Sequence, residues 1–211
     1  AIPQSYNGFP QGIKIVRVDK RADPSAPTAN TWVFSSSDEN GNLVLKIGAP
    51  DEYVKGVQNF HINYTSINVT QNSGDYDEFY WNVNGTQWQQ TIAKASATII
   101  LPPTLSNSLE LSRDPLCFTG YYGKTKKNCT ISKSITPEGE TQFYAQTTAP
   151  LRPGQNLSFA IAFKPGTFAV PTIPLWERVK PFVAAGIALV IISSTIIFCI
   201  LRWRKFGKDP K

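Results

Sequence analysis

The sequence predicts an all-β extracytoplasmic domain, an antiparallel sandwich of the Ig-like or jelly-roll-like kind, followed by one C-terminal transmembrane α-helix. Three observations predict it. Residues 182–201 form one apolar run, FVAAGIALVIISSTIIFCIL, and about 20 such residues cross a ~30 Å hydrocarbon core as a helix. Ahead of it lie roughly ten short segments that alternate apolar and polar residues, with turn signals between them. Finally, no stretch before Lys180 keeps a helical period over a dozen residues. A closed barrel is the alternative, because alternation does not reveal whether the sheet edges meet.

The apolar run sets the domain organisation. Its polar members Ser193, Ser194 and Thr195 can bond back to carbonyls one turn earlier, which lipid tolerates. The tail RWRKFGKDPK carries Arg202, Arg204, Lys205, Lys208 and Lys211 against Asp209 alone. Positive charge beside a span stays in the cytoplasm, so residues 202–211 are expected inside and the rest before the span outside. On the other flank Glu177, Arg178 and Lys180 nearly cancel. Trp176 and Trp203 are expected as interfacial anchors, with Arg202, Arg204 and Lys205 holding the inner side. Pro181 suits a helix start, where its missing N–H costs nothing. The expected parts are therefore a sandwich over 1–163, a Pro-rich connector over 164–181, a span over 182–201 and a basic tail.

This division explains the charge. The chain is +6, but outside the tail sixteen basic groups face fourteen acidic ones. That balance leaves no footprint for nucleic acid, and the lipid bilayer becomes the first partner expected. A single membrane span is expected, with the N-terminus outside. The chain opens on Ala1 without a charged-then-apolar leader, so a removed signal peptide or a late start is expected.

The strands are read in order. Residues 13–18 (IKIVRV) look extended, 20–30 form a loop around Pro24 and Pro27, and 31–36 (TWVFSS) read as a short strand. Asn40-Gly41 signals a hairpin into Leu43, Leu45 and Ile47. The longest strand is expected over 57–69, where Phe60, Ile62 and Tyr64 alternate and the pattern then slips to Ile67 and Val69, predicting a bulge or bend near Thr65-Ser66. Phe79, Trp81 and Val83 share a face, as do Ala97, Ile99 and Leu101 before Pro102-Pro103 stops that strand. Residues 130–133 and 143–147 are extended, 150–154 turn, and Leu157, Phe159, Ile161 and Phe163 line one face of the last strand.

Cys117 and Cys129 enclose FTGYYGKTKKN in the outer compartment, where thiols oxidise. Their spacing suits a disulfide closing a hairpin loop; free thiols are the alternative, and a metal site lacks a nearby His. Cys199, inside the span, reads as apolar filler. Five N-x-Ser/Thr triplets begin at Asn63, Asn68, Asn84, Asn128 and Asn156, and mark glycosylation only in a eukaryotic host.

Catalytic signals are sparse. His61 is the one histidine and sits mid-strand with no acid beside it in sequence, and no nucleophile elbow, HExxH helix or phosphate loop occurs. The cluster Asp75, Asp77 and Glu78 is expected as turn chemistry rather than a calcium site. A non-enzymatic protein without metal or cofactor is expected. Trp81 is expected in the core. Trp88, together with Tyr121, Tyr122, Lys124, Lys126 and Lys127 on the 117–129 loop, forms the candidate contact surface, for which a solvated loop is the alternative.

Several stretches taken together look familiar: KIGAPDEYVKGVQNFHINYTSINV, DYDEFYWNVNGTQW, TIILPP, CFTGYYGKTKKNC and RWRKFGKDPK. In this order they resemble the YciQ-like bacterial predicted membrane proteins, the family of domain of unknown function 2207, from about Gly8 onward. The run D-x-D-E-x-x-W-N-V-x-G-x-x-W is the most specific part. The resemblance implies an extracytoplasmic β-rich domain tethered by a helix in a bacterial envelope, which empties the glycosylation triplets of meaning. It also implies further cytoplasmic and membrane segments beyond a stretch like FGKDP, and it supplies no catalytic residues. The reading is thus a binding or assembly module of the envelope, meeting an envelope protein or a glycan. The alternative is a sensor that signals through the span to a cytoplasmic part. A hydrolase with a site scattered over loops is a third reading with no motif behind it.

Overall fold

The computed structural model describes residues 2–6, 8–20, 31–51, 53, 55–172 and 175–207. The expected loop over 20–30 falls, but for Lys20, outside the described residues. Two compact units are present, Ala1–Val170 and Pro171–Lys211.

The first unit is made of antiparallel sheets, as the alternation predicts. Its heart is two sheets packed face to face. One takes the order β11-β14-β9-β8, with β8 at Thr70–Asn72, β9 at Asp77–Asn82, β11 at Leu116–Gly120 and β14 at Asn156–Phe163. The other takes β10-β13-β12, with β10 at Ser96–Leu101, β12 at Cys129–Ile135 and β13 at Thr141–Thr147. Ile99, Leu101, Phe143 and Ala145 from the second sheet meet Phe159, Ile161 and Phe163 from the first, with Phe79, Trp81 and Val83 against them. Side chains alternate across a strand, so Trp81 falls on the core side with Phe79, whose ring meets Phe159 edge-on at 5.3 Å. Pro102 ends β10, and Pro103 opens a one-turn helix, α1 (Pro103–Ser106), where its fixed φ is preorganised.

The segments before β8 form smaller sheets. Ile2–Pro3 (β1), Asn42–Ile47 (β6) and Phe34–Glu39 (β5) make one of three strands; Ser5–Tyr6 (β2) pairs Phe9–Pro10 (β3), and Lys14–Asp19 (β4) pairs His61–Thr65 (β7). Three details differ from the sequence reading. The expected strand at 31–36 lies at Phe34–Glu39. Asn40 and Gly41 both adopt positive φ, 50° and 74°, and this tight turn sets Glu39 opposite Asn42, drawing the polar run SSSDE into a ladder with β6. The expected long strand over 57–69 shrinks to β7, because Gly56 and Asn68 turn the chain at positive φ on either side; β14, of eight residues, is longer. Of the bulge or bend expected near Thr65-Ser66, the bend is there, since β7 ends at Thr65 and the chain bends at Ile67, while the bulge sits on the partner strand, where pairing jumps from Ile15 to Arg17 and leaves Val16 as the extra residue.

The second unit holds one helix, α2, over Leu175–Phe206. Its segment Val179–Phe206 is long and apolar enough to cross a membrane. It begins earlier than the apolar run, so Pro181 lies inside the helix rather than at its start. Pro181 lies past the first four helical residues, whose N–H groups have no ladder partner, so it costs the helix one i→i−4 bond. Ser194 and Thr195 donate their hydroxyls to the Ile191 carbonyl, each at 2.8 Å, the back-bonding that makes such groups compatible with hydrocarbon.

Candidate functional site

Cys117 and Cys129 are joined, with Cα atoms 6.1 Å apart. The bond does not close a simple hairpin: β11 belongs to the four-stranded sheet and β12 to the three-stranded one, so the disulfide staples the two layers together. It sits over a second apolar cluster of Ala95, Cys117, Leu151 and Leu157. Above it the chain from 120 to 128 projects as a loop whose stem is closed by paired backbone bonds between Thr119 and Lys126, at 2.6 and 3.1 Å.

A turn from the other side meets that loop. Arg152 and Gln155 bond to each other twice, through the Gln155 amide to the Arg152 carbonyl at 3.0 Å and the Arg152 amide to Gln155 Oε1 at 2.9 Å. Between them Gly154 adopts φ +79°, and a Cβ there would lie 3.5 Å from Cε1 of Tyr121. Glycine therefore permits the turn, and its bare Cα sits beside the Tyr121 ring. Half of Tyr121 remains exposed. The Gly154 amide donates to the Trp88 carbonyl at 2.9 Å, which brings the 84–88 loop alongside. Asn84 fixes that loop by accepting from the Leu157 amide and donating to the Gln155 carbonyl, extending the β9 ladder with a side chain.

The expected contact residues thus share one end of the sandwich but do not form one surface. Tyr121 and Lys126 line a cavity of about 350 Å³ with Thr119, Asn128, Arg152 and Gln155. Trp88 lines a separate hollow of about 320 Å³ with Pro3, Asn42, Thr86 and Gln87. Tyr122, Lys124 and Lys127 are exposed on the loop and line neither. Arg152, Asn128 and Gln155 escaped the sequence reading. PLRPGQ announces only a turn, and what the turn lies against depends on the β11–β14 pairing.

Elsewhere, the acidic candidates are held by hydrogen bonds within the fold. Asp19, buried, stands opposite His61 in the β4–β7 ladder, an acid that spacing in sequence hides. Its carboxylate is held by Arg17 Nε at 2.7 Å and Asn63 Nδ2 at 3.2 Å. Asp77 is 1% exposed and accepts from Asn72 Nδ2 at 2.7 Å and from the Phe168 amide at 2.8 Å, while Glu78 accepts from Gln71. Among the described residues no group of three or more His, Cys, Asp or Glu could hold a metal ion. Glu110 is held below the usual glutamate range by hydrogen bonds from the Ser112 hydroxyl and amide. Tyr64 is pushed above the ordinary tyrosine value by burial.

The tryptophan-rich run acquires a physical reading. Asp77 anchors, Trp81 and Val83 pack, and Asn82 Oδ1 accepts from Asn156 Nδ2 at 2.8 Å and Ser158 Oγ at 2.6 Å. Its sequence profile decides the family: "Predicted membrane protein (DUF2207) N-terminal domain" matches residues 2–163. The chain belongs to that family. No curated protein and no solved structure matches it. Beyond the DUF2207 domain, α2 carries Trp176 near its start and Arg202, Trp203, Arg204 and Lys205 in its last turns, with the Arg202 guanidinium 4.7 Å from the Phe206 ring centre. Arg204 and Lys205 lie where the helix dipole favours cations.

Proposed function

We propose that this DUF2207 domain is a non-enzymatic binding module of a bacterial envelope, held outside the plasma membrane by α2 with the basic tail in the cytoplasm. The observation that carries the reading is the loop-bearing end, where Tyr121 is half exposed beside Gly154 on the rim of a cavity. An aromatic ring left half in water gains by meeting a partner. The Cys117–Cys129 bond supports an oxidising outer compartment, and the cations after the apolar run support the orientation. Protease treatment of intact spheroplasts, with tags at both termini, tests topology. The N-terminal tag should be removed, and a compact fragment of about 20 kDa, one domain's size, should shift on a gel upon reduction. Protection of that tag overturns the orientation. Cosedimentation of the full chain in nanodiscs with isolated cell envelopes tests binding. Retention should fall in the doubly substituted Trp88→Ala/Tyr121→Ala chain; equal retention overturns the role of this end of the sandwich.

A second reading has its own support. The Phe168 amide bond to Asp77 ties the chain three residues before the second unit to the central strand β9. A ligand that strained the sandwich would therefore reach that chain, as a sensor requires. Crosslinking of α2 in membranes with and without ligand tests it: unchanged patterns favour the simple binding module.

A further inference from the structure

Three segments meet at the loop-bearing end: residues 119–128, 148–155 and 84–92. They contribute Lys124, Lys126, Lys127 and Arg152, and no aspartate or glutamate. The acids nearest in sequence to the 119–128 segment lie at the far ends of its two flanking strands, Asp114 before the five-residue β11 and Glu138 past the seven-residue β12, roughly 15 and over 20 Å away at ~3.3 Å per residue. None of the four cationic side chains makes a hydrogen bond or ion pair among the described residues. The Trp88 hollow differs, since Asn42 on its wall is paired with Glu39 and adjoins Asp38. Positive charge is therefore gathered on the Tyr121 side alone.

Resting on the binding-module reading above, we infer that the cavity beneath the 120–128 loop takes an acidic polysaccharide, a chain of sugar rings bearing carboxylate or phosphate groups. The cavity supplies what such a ligand needs. The planar guanidinium of Arg152 pairs with a carboxylate or phosphate in a fork, and the Lys126 ammonium adds a point charge. Asn128 and Gln155 line the same wall and offer amide groups to ring hydroxyls. The exposed part of the Tyr121 ring supplies a flat apolar platform for the C–H face of a sugar. Gly154 lies beside the ring, and the loop that carries it is closed at its stem by the Thr119–Lys126 bonds, so little ordering entropy is lost on binding. A cavity of about 350 Å³ falls in the range of small-ligand sites, ~300–1,000 Å³, enough for one or two rings with the polymer continuing across Lys124 and Lys127.

The test uses the full chain in neutral-lipid nanodiscs, titrated with oligomeric alginate, a phosphate-bearing glycan, inorganic polyphosphate, a neutral glucan and, separately, anionic vesicles. Alginate, the phosphoglycan or both should bind, more weakly as salt rises, and the neutral glucan should not. Lys126→Ala and Arg152→Ala should each weaken binding about tenfold, the loss of one charge-assisted hydrogen bond. Tyr121→Ala should weaken the glycans while leaving polyphosphate, which has no ring, unchanged. Non-reducing gels and melting curves certify that the variants fold. Which acidic glycan binds separates carboxylate from phosphate recognition. Binding of neither, binding indifferent to Lys126 and Arg152, or binding of anionic vesicles alone overturns the proposal. The broader reading fails separately: envelope retention that depends on Trp88 and Tyr121 but resists competition by acidic glycans keeps the module and removes this ligand.

Discussion

Residues 77–163 and residues 2–65 are both built of antiparallel strands, yet they bury themselves unequally. In the later region β14 is buried at seven of its eight positions, and β13 alternates between buried and half-buried along its whole length. In the earlier region β7 is exposed at four of five positions, and β5 at five of six. Among the described residues before Asp77, Val18 is the one buried apolar side chain. Ile62 and Tyr64 alternate as cleanly as Leu157 and Phe159. The difference lies in what covers them: β14 has a second sheet across from it, and β7 has one partner strand beside it. Alternation sets which side chains share a face, and packing decides whether that face is buried.

Stability should therefore follow the second sheet. Phe159→Ala should cost about 3–5 kcal/mol and lower the melting temperature strongly, whereas Phe60→Ala, in the earlier region and 48% exposed, should cost under about 1 kcal/mol. Equal losses in chemical denaturation would break the contrast. Next comes the inter-sheet staple. Removing it by Cys117→Ala/Cys129→Ala should cost on the order of 3 kcal/mol, and a melting curve taken with reductant should match that of the variant. A smaller loss of about 1–3 kcal/mol is expected for Asp77→Ala, which leaves the half-buried Phe168 N–H unpaired and releases the exposed Asn72 amide to water. Hydrogen exchange at Phe168 should accelerate in step; an unchanged rate would sharpen the picture by assigning the cost to β9 alone. The smallest effect is on pH. Tyr64 has its pKa raised in the folded chain, so the unfolded chain loses that proton first. Its contribution is complete below about pH 10, the unfolded value, and is lost as pH rises through the folded value. Tyr64→Phe should flatten the alkaline limb of the stability curve slightly.

What the sequence made legible followed from local periods. The apolar faces of β9, β10 and β14, the stop at Pro102 and the helix of the second unit could all be read because each is written in consecutive residues. What stayed hidden depends on distant pairing. SSSDE carries no strand signal; it extends because the Asn40-Gly41 turn folds it onto β6. The cysteine pairing could be expected, but its joining of two sheets could not, since that depends on where β11 and β12 go after they part. Arg152 and Gln155 reach the candidate site through a turn whose neighbours are set by β14.

The bond from the Phe168 amide to Asp77 also defines where the folded unit physically finishes. The family match stops at residue 163, the final residue of β14. Yet Phe168 packs edge-on against Phe163 at 5.0 Å and supplies one of the two donors to a carboxylate that water does not reach. A fragment trimmed at 163 would bare the Phe163 ring and leave the buried Asp77 side chain one hydrogen-bond donor short, in a way its strand count would not reveal. Carrying the chain to residue 170 preserves both, so a short stretch without regular secondary structure is as much a part of the sandwich as any strand.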